Sequence, residues 1–143
     1  MPVLARAVIA LGLVPVLAAH ASADVIKCDA SDGQSSIEIA VDFSETRDEG
    51  AIEGVRVLTP EFRLSTYPKD SERPPETLAF SDVLFDRIEL GLESANTGPM
   101  TLVVNIVRAA VYAPDDEPES DVVVAGVARI GSGRTVTLIC TGW

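Results

Sequence analysis

The chain has 143 residues, of which 47% are hydrophobic and 5% aromatic, and it sets 22 Asp and Glu against 11 Lys and Arg. That balance excludes nucleic acid as an expected partner, because DNA and RNA affinity comes from clustered cations neutralising phosphates and no such cluster occurs. Anionic membrane surfaces are disfavoured for the same reason.

Arg6 precedes an apolar run from Ala7 to Ala19, followed by His20, Ala21, Ser22 and Ala23. This is the layout of a secretory signal peptide, with Ala21 and Ala23 at the small-residue positions of the cleavage site. The run contains Gly12 and Pro15 and falls short of the ~20 apolar residues that a spanning helix needs. We expect residues 1–23 to be a signal peptide, 24–143 to be a single all-β domain, and no membrane anchor to remain after processing. The expected location is periplasmic or secreted. Loss of Arg6 leaves 10 basic against 22 acidic residues, a mature net charge of −12. Cys28 and Cys140 are the only cysteines. An even count in an oxidising compartment predicts a disulfide between them.

Period-two alternation dominates the mature sequence, the pattern of strands with one buried face. Val25 to Cys28 reads as a first strand, and Asp29 to Gln34 as a turn. Ser36 to Phe43 follows, with Ile37, Ile39, Val41 and Phe43 inward and Glu38, Ala40 and Asp42 outward. Beyond the acidic connection Glu45 to Gly50, strands are expected at Ile52 to Thr59 and Phe62 to Ser65, separated by Pro60, which cannot donate to a ladder. Tyr67 to Thr77, with Pro68, Pro74 and Pro75, reads as a long exposed loop. Leu78 to Phe80 is a brief strand, Arg87 to Glu93 alternates cleanly, and Met100 to Tyr112 is a long β-branched strand. Asp121 to Ile130 and Arg134 to Thr141 form a hairpin around Gly131, Ser132 and Gly133. The fold class is therefore all-β, a small antiparallel barrel or sandwich of about eight strands, with its terminal strands linked by the disulfide.

The only histidine, His20, lies in the predicted leader. The mature chain thus offers no imidazole for a Ser-His-Asp triad, a Cys-His pair or a histidine-ligated metal. A carboxylate-based hydrolase would need an acid kept protonated by desolvation, whereas most carboxylates here fall at outward strand positions or in polar loops. The acidic group Asp115, Asp116, Glu117, Glu119 and Asp121 lacks the spacing of a calcium loop and reads as solvated. The turn with Asp29, Ser31, Asp32 and Gly33, which resembles a calcium start, reads by its six-residue length as an ordinary hairpin turn. No metal site and no cofactor are expected. The four phenylalanines are expected in the core, with Trp143 folding back over one end of the barrel.

Lys27, Cys28, Asp29 and Gly33, followed by an alternating strand, resemble the opening of the small periplasmic β-barrel inhibitors of C-type lysozyme. The late cysteine is a further similarity, while the Ser-Ala-Ser-Gly loop of that family is absent. The resemblance implies that an acidic exported barrel can act by binding a basic enzyme through its loops. The expected function is a non-enzymatic binding protein that recognises a protein or small ligand. Its expected contact residues are Tyr67, Lys69 and Arg73 in one loop, the acidic group from Asp115 to Asp121 in another, and Trp143. A structural component that joins other chains through a sheet edge is the alternative, and a carboxylate hydrolase the third class.

Overall fold

The computed structural model describes residues 23–70, 73–94, 98–111 and 121–143. Among these residues there is no helix. They form nine strands: β1 (Asp24–Ala30), β2 (Ser36–Phe43), β3 (Gly50–Leu58), β4 (Arg63–Ser65), β5 (Thr77–Leu84), β6 (Arg87–Ser94), β7 (Gly98–Val111), β8 (Asp121–Ile130) and β9 (Arg134–Thr141). All pair antiparallel in one sheet of order β4-β3-β2-β1-β9-β8-β7-β6-β5. A single curled sheet, a half-barrel, thus replaces the sandwich alternative.

Consecutive strands are neighbours everywhere except between β4 and β5, so both sheet edges come from the middle of the sequence. The chain's first and last strands lie side by side in the sheet's interior, with Cys28 opposite Cys140 and the two bonded. The sheet curls until its edges approach. Glu49 bridges to Leu84, the Phe85 N–H donates to the Asp48 carbonyl at 3.1 Å, and the Glu76 N–H donates to the Ser65 carbonyl at 3.0 Å. β4 spans only three residues, so it occupies the seam near one end, and β3 lies against β5 over the rest.

Alternation sends one face of β1, β2, β3, β6, β7, β8 and β9 inward, while β5 buries only Val83. Leu90, Val104, Ala128 and Val136 stand opposite one another across β6, β7, β8 and β9, each at most 5% exposed. Ile26, Ile39, Val41, Val55 and Ile106 fill the rest of the middle, each fully buried. The interior is therefore packed with aliphatic side chains in the manner of small barrels.

Several details depart from expectation for local reasons. β5 extends to Leu84, well past Phe80, because pairing with β6 continues through Ser81 and Asp82 although their side chains are polar and exposed. Phe80 and Phe85 are not core residues, at 41% and 49% exposure. The register irregularity between Leu78 and Phe80 turns the Phe80 ring outward over Gly91, where a Cβ would lie 2.4 Å from the ring. Phe85, in the β5–β6 turn, is covered by the Arg108 guanidinium 4.8 Å from its centroid. Phe43 and Phe62 do pack against the core, partly buried. Ala40 is on the outer face as expected, yet only 8% exposed. Its cross-strand partner Gly54 accepts the Tyr67 ring against its backbone, and that ring covers the pair.

Candidate functional site

The half-barrel has two ends, and their chemistry differs. At one end β2 finishes at Phe43 and the chain finishes at Trp143, whose ring stacks on Phe43 with centroids 6.4 Å apart and planes 19° apart. Arg47 sits over the outer side of Phe43 at 4.9 Å and pairs with Asp24 at 2.7 Å. Aromatic packing covers this end in part.

The other end is open. The β3–β4 turn and β4 face the ends of β6 and β7 and the β8–β9 turn across a depression of about 1130 Å³. Its apolar wall is Val57, Leu58, Phe62 and Leu64, and its hydroxyls include those of Ser36, Ser65, Ser94, Thr101 and Ser132. Charged groups of both signs, including Glu61, Arg63, Arg73 and Glu76, stand around the rim. Ser94 of β6 and Thr101 of β7 are buried at this end, close in sequence to the core residues Leu92 and Leu102.

One flank of the mouth is fixed by an ionic latch on the outer face. Arg56 on β3 donates to Asp70 at 2.6 Å and to Glu38 on β2 at 2.8 Å, and its guanidinium lies 4.2 Å from the Tyr67 ring centroid. The Ser65 hydroxyl adds a 2.8 Å bond to Asp70. The Ser65 N–H donates to the Glu76 carboxylate at 2.6 Å, which holds the return of the loop beside β4. The bonds from Arg56 and Ser65 lower the Asp70 pKa, and those from Asp70 and Glu38 hold the guanidinium well above its ordinary range. Burial against the sheet raises the Tyr67 phenol. The described parts of the proline-containing loop are thus tied to the scaffold at both ends.

A second fixed turn borders the opening. Asp32 accepts from the Gln34 N–H at 2.9 Å, the Ser35 N–H at 2.8 Å and the Ser35 hydroxyl at 2.7 Å, and it pairs with Arg134 of β9. Gly33, at φ 68°, supplies the left-handed residue that the turn requires. These bonds, the Ser35 hydroxyl foremost, lower the Asp32 pKa from 3.8 to about 2. The carboxylate's oxygens are engaged within the turn, which therefore works as a hairpin support. A folded-state value below the unfolded one contributes stability that is complete above pH ~4 and is lost as pH falls through 2. Chemical denaturation at stepped pH is expected to show wild type losing more stability between pH ~4 and 2 than Asp32→Asn does. Equal slopes would contradict this assignment.

The structure separates the residues expected to make contacts. Arg73 lines the mouth and Lys69 is exposed on the loop beside it, whereas Tyr67 is spent on covering Gly54 and supporting Arg56. Trp143 lies at the end opposite the mouth. Asp121 opens β8 opposite Val111, and Asp115, Asp116, Glu117 and Glu119 fall outside the described residues. Phe62, Arg63 and Glu76 were not singled out from sequence, and only their positions beside Pro60 and Pro75 hinted at a rim. Compared with known proteins, the chain matches no family model, no curated protein and no solved structure. The lysozyme-inhibitor resemblance stands on its own few residues.

Proposed function

We propose that the protein is an exported, non-enzymatic binding protein whose disulfide-closed sheet presents the open mouth, with the latched loop beside it, to a protein or small ligand. The observation that supports this reading is the contrast between the two ends. One carries the Phe43–Trp143 stack, and the other presents half-buried Phe62 and exposed Leu58 between polar rims, above the buried Val57 and Leu64. A concave apolar surface with a few convergent polar groups on a rigid scaffold is the usual form of a binding site. The Cys28–Cys140 bond is consistent with an oxidising periplasmic or extracellular location.

The test immobilises the disulfide-bonded protein and challenges it with the exported fraction of its host and with a small-molecule panel. Retention of a binder that is lost in Phe62→Ser and in Arg63→Glu, with melting behaviour unchanged, supports the reading. A binder retained equally by both variants, or none at all, counts against it. A second reading, assembly through a sheet edge, draws on β5, an eight-residue edge strand with its first six side chains exposed. It predicts that Ser81→Pro abolishes assembly and leaves mouth binding intact.

A further inference from the structure

The outer face of the sheet is divided by charge. The described outward side chains of β1, β2, β3, β5 and β6 include Asp29, Glu38, Asp42, Glu53, Asp82, Glu89 and Glu93. Those of β7 from Leu102 to Ala110, of β8 from Val122 to Ile130 and of β9 include no carboxylate, and Arg129 is their only ion. Register places the apolar members of this face side by side. Ile139 of β9 is opposite Ala125 of β8, which is opposite Val107 of β7. The flanking rows add Val127 on one side, and Val123 opposite Ala109 on the other. Ile139 is 73% exposed, and Val107, Val123 and Val127 are 47 to 50% exposed. Scattered exposed aliphatics are ordinary, but a contiguous apolar patch on the convex side of a small sheet marks a contact surface.

We infer that this face joins two copies of the chain, packed sheet against sheet about a two-fold axis. Charge selects the occupant. A mature chain of net −12 repels its own copies wherever acids meet, and β7–β9 form the broad outer face where no described carboxylate would be brought against its twin. The border suits self-pairing because it carries both signs on each flank. Lys27 and Asp29 on β1 adjoin Thr141 and Ile139, while Arg87 and Glu89 on β6 adjoin Val107 and Asn105. An isologous contact requires such a self-complementary edge. The patch lacks the aromatic anchors that usually dominate contacts with unrelated partners, and its aliphatic, charge-poor composition is that of homodimer interfaces. The mouth stays free in this arrangement, since the patch occupies the sheet's outer side.

Sedimentation equilibrium of the disulfide-bonded protein as isolated from its host tests the inference. A reversible monomer–dimer equilibrium is expected below a total concentration of about 1 mM. It should tighten between roughly 0.05 and 0.5 M salt, because screening relieves the long-range repulsion while leaving apolar burial intact. Ile139→Lys and Val127→Lys should each weaken dimerisation by about tenfold or more with unchanged circular dichroism. Leu58→Ser, an exposed apolar residue at the mouth, should leave it unaffected. Monomer at every concentration, dimers that ignore both lysine substitutions, or assemblies that grow beyond two copies would overturn the inference.

Discussion

Reduction of the Cys28–Cys140 bond, or replacement of both cysteines by alanine, is expected to lower stability by about 4 to 5 kcal/mol, the chain-entropy figure for a closed loop of 112 residues. For a domain of this size the melting temperature should fall by roughly 15 °C. The position of the bond adds to its importance. β1 and β9 meet in the sheet's interior, and among the described residues the seam between β4 and β5 has only a few bridging hydrogen bonds to resist opening. Losing the covalent tie between the terminal strands leaves the two halves of the sheet joined by the short β1–β9 ladder and those few bonds. Both cysteines are buried, at 1% and 6% exposure, so reductant should act slowly on the native protein and quickly in mild denaturant. Calorimetry with and without reductant reads the effect, and an unchanged melting temperature would show that the ladder alone holds the halves together.

Leu90→Ala is expected to cost about 2 to 5 kcal/mol, which is severe for a chain of this length. Leu90 is fully buried in the middle of β6, between Ser81 of the edge strand and Val104 of β7, in the row that continues through Ala128 and Val136. Its cross-strand neighbours Ser81 and Val104 are held in place by backbone pairing on both sides and cannot expand into the vacated volume. The cavity should therefore persist, toward the upper part of the range. Urea denaturation with an unchanged m-value would read it. A loss below about 1 kcal/mol would mean that the sheet collapses around the gap and that its interior is less rigidly packed than the register implies.

Much of this architecture was legible in the residues because strand alternation leaves a direct trace. Ile37, Ile39 and Val41 point inward as their spacing requires, the Gly131–Gly133 hairpin lies where its glycines put it, and Cys28 meets Cys140. What was hidden depends on long-range register. Nothing local in Thr77–Leu84 reveals that polar Ser81 and Asp82 continue a strand, since the ladder with β6 and not a buried face sustains them. Phe80 reads as core until the bulge beside it is known. Nothing local in Tyr67 reveals that Gly54, thirteen positions earlier in sequence, receives its ring. The mouth was less legible still, because it is assembled from β4, the β3–β4 and β8–β9 turns and the ends of β6 and β7, which only long-range register brings together.

Residue-resolved hydrogen exchange of the oxidised protein tests most directly whether the chain is a curled sheet fastened at β1–β9 and parted at β4–β5. The slowest amides should belong to β1, β9 and β8, while β5 should show fast exchange at alternate residues, those whose N–H groups face the seam. Uniform protection along β5, or faster exchange in β1 and β9 than at the seam, would contradict that arrangement and remove the basis for an open mouth beside β4.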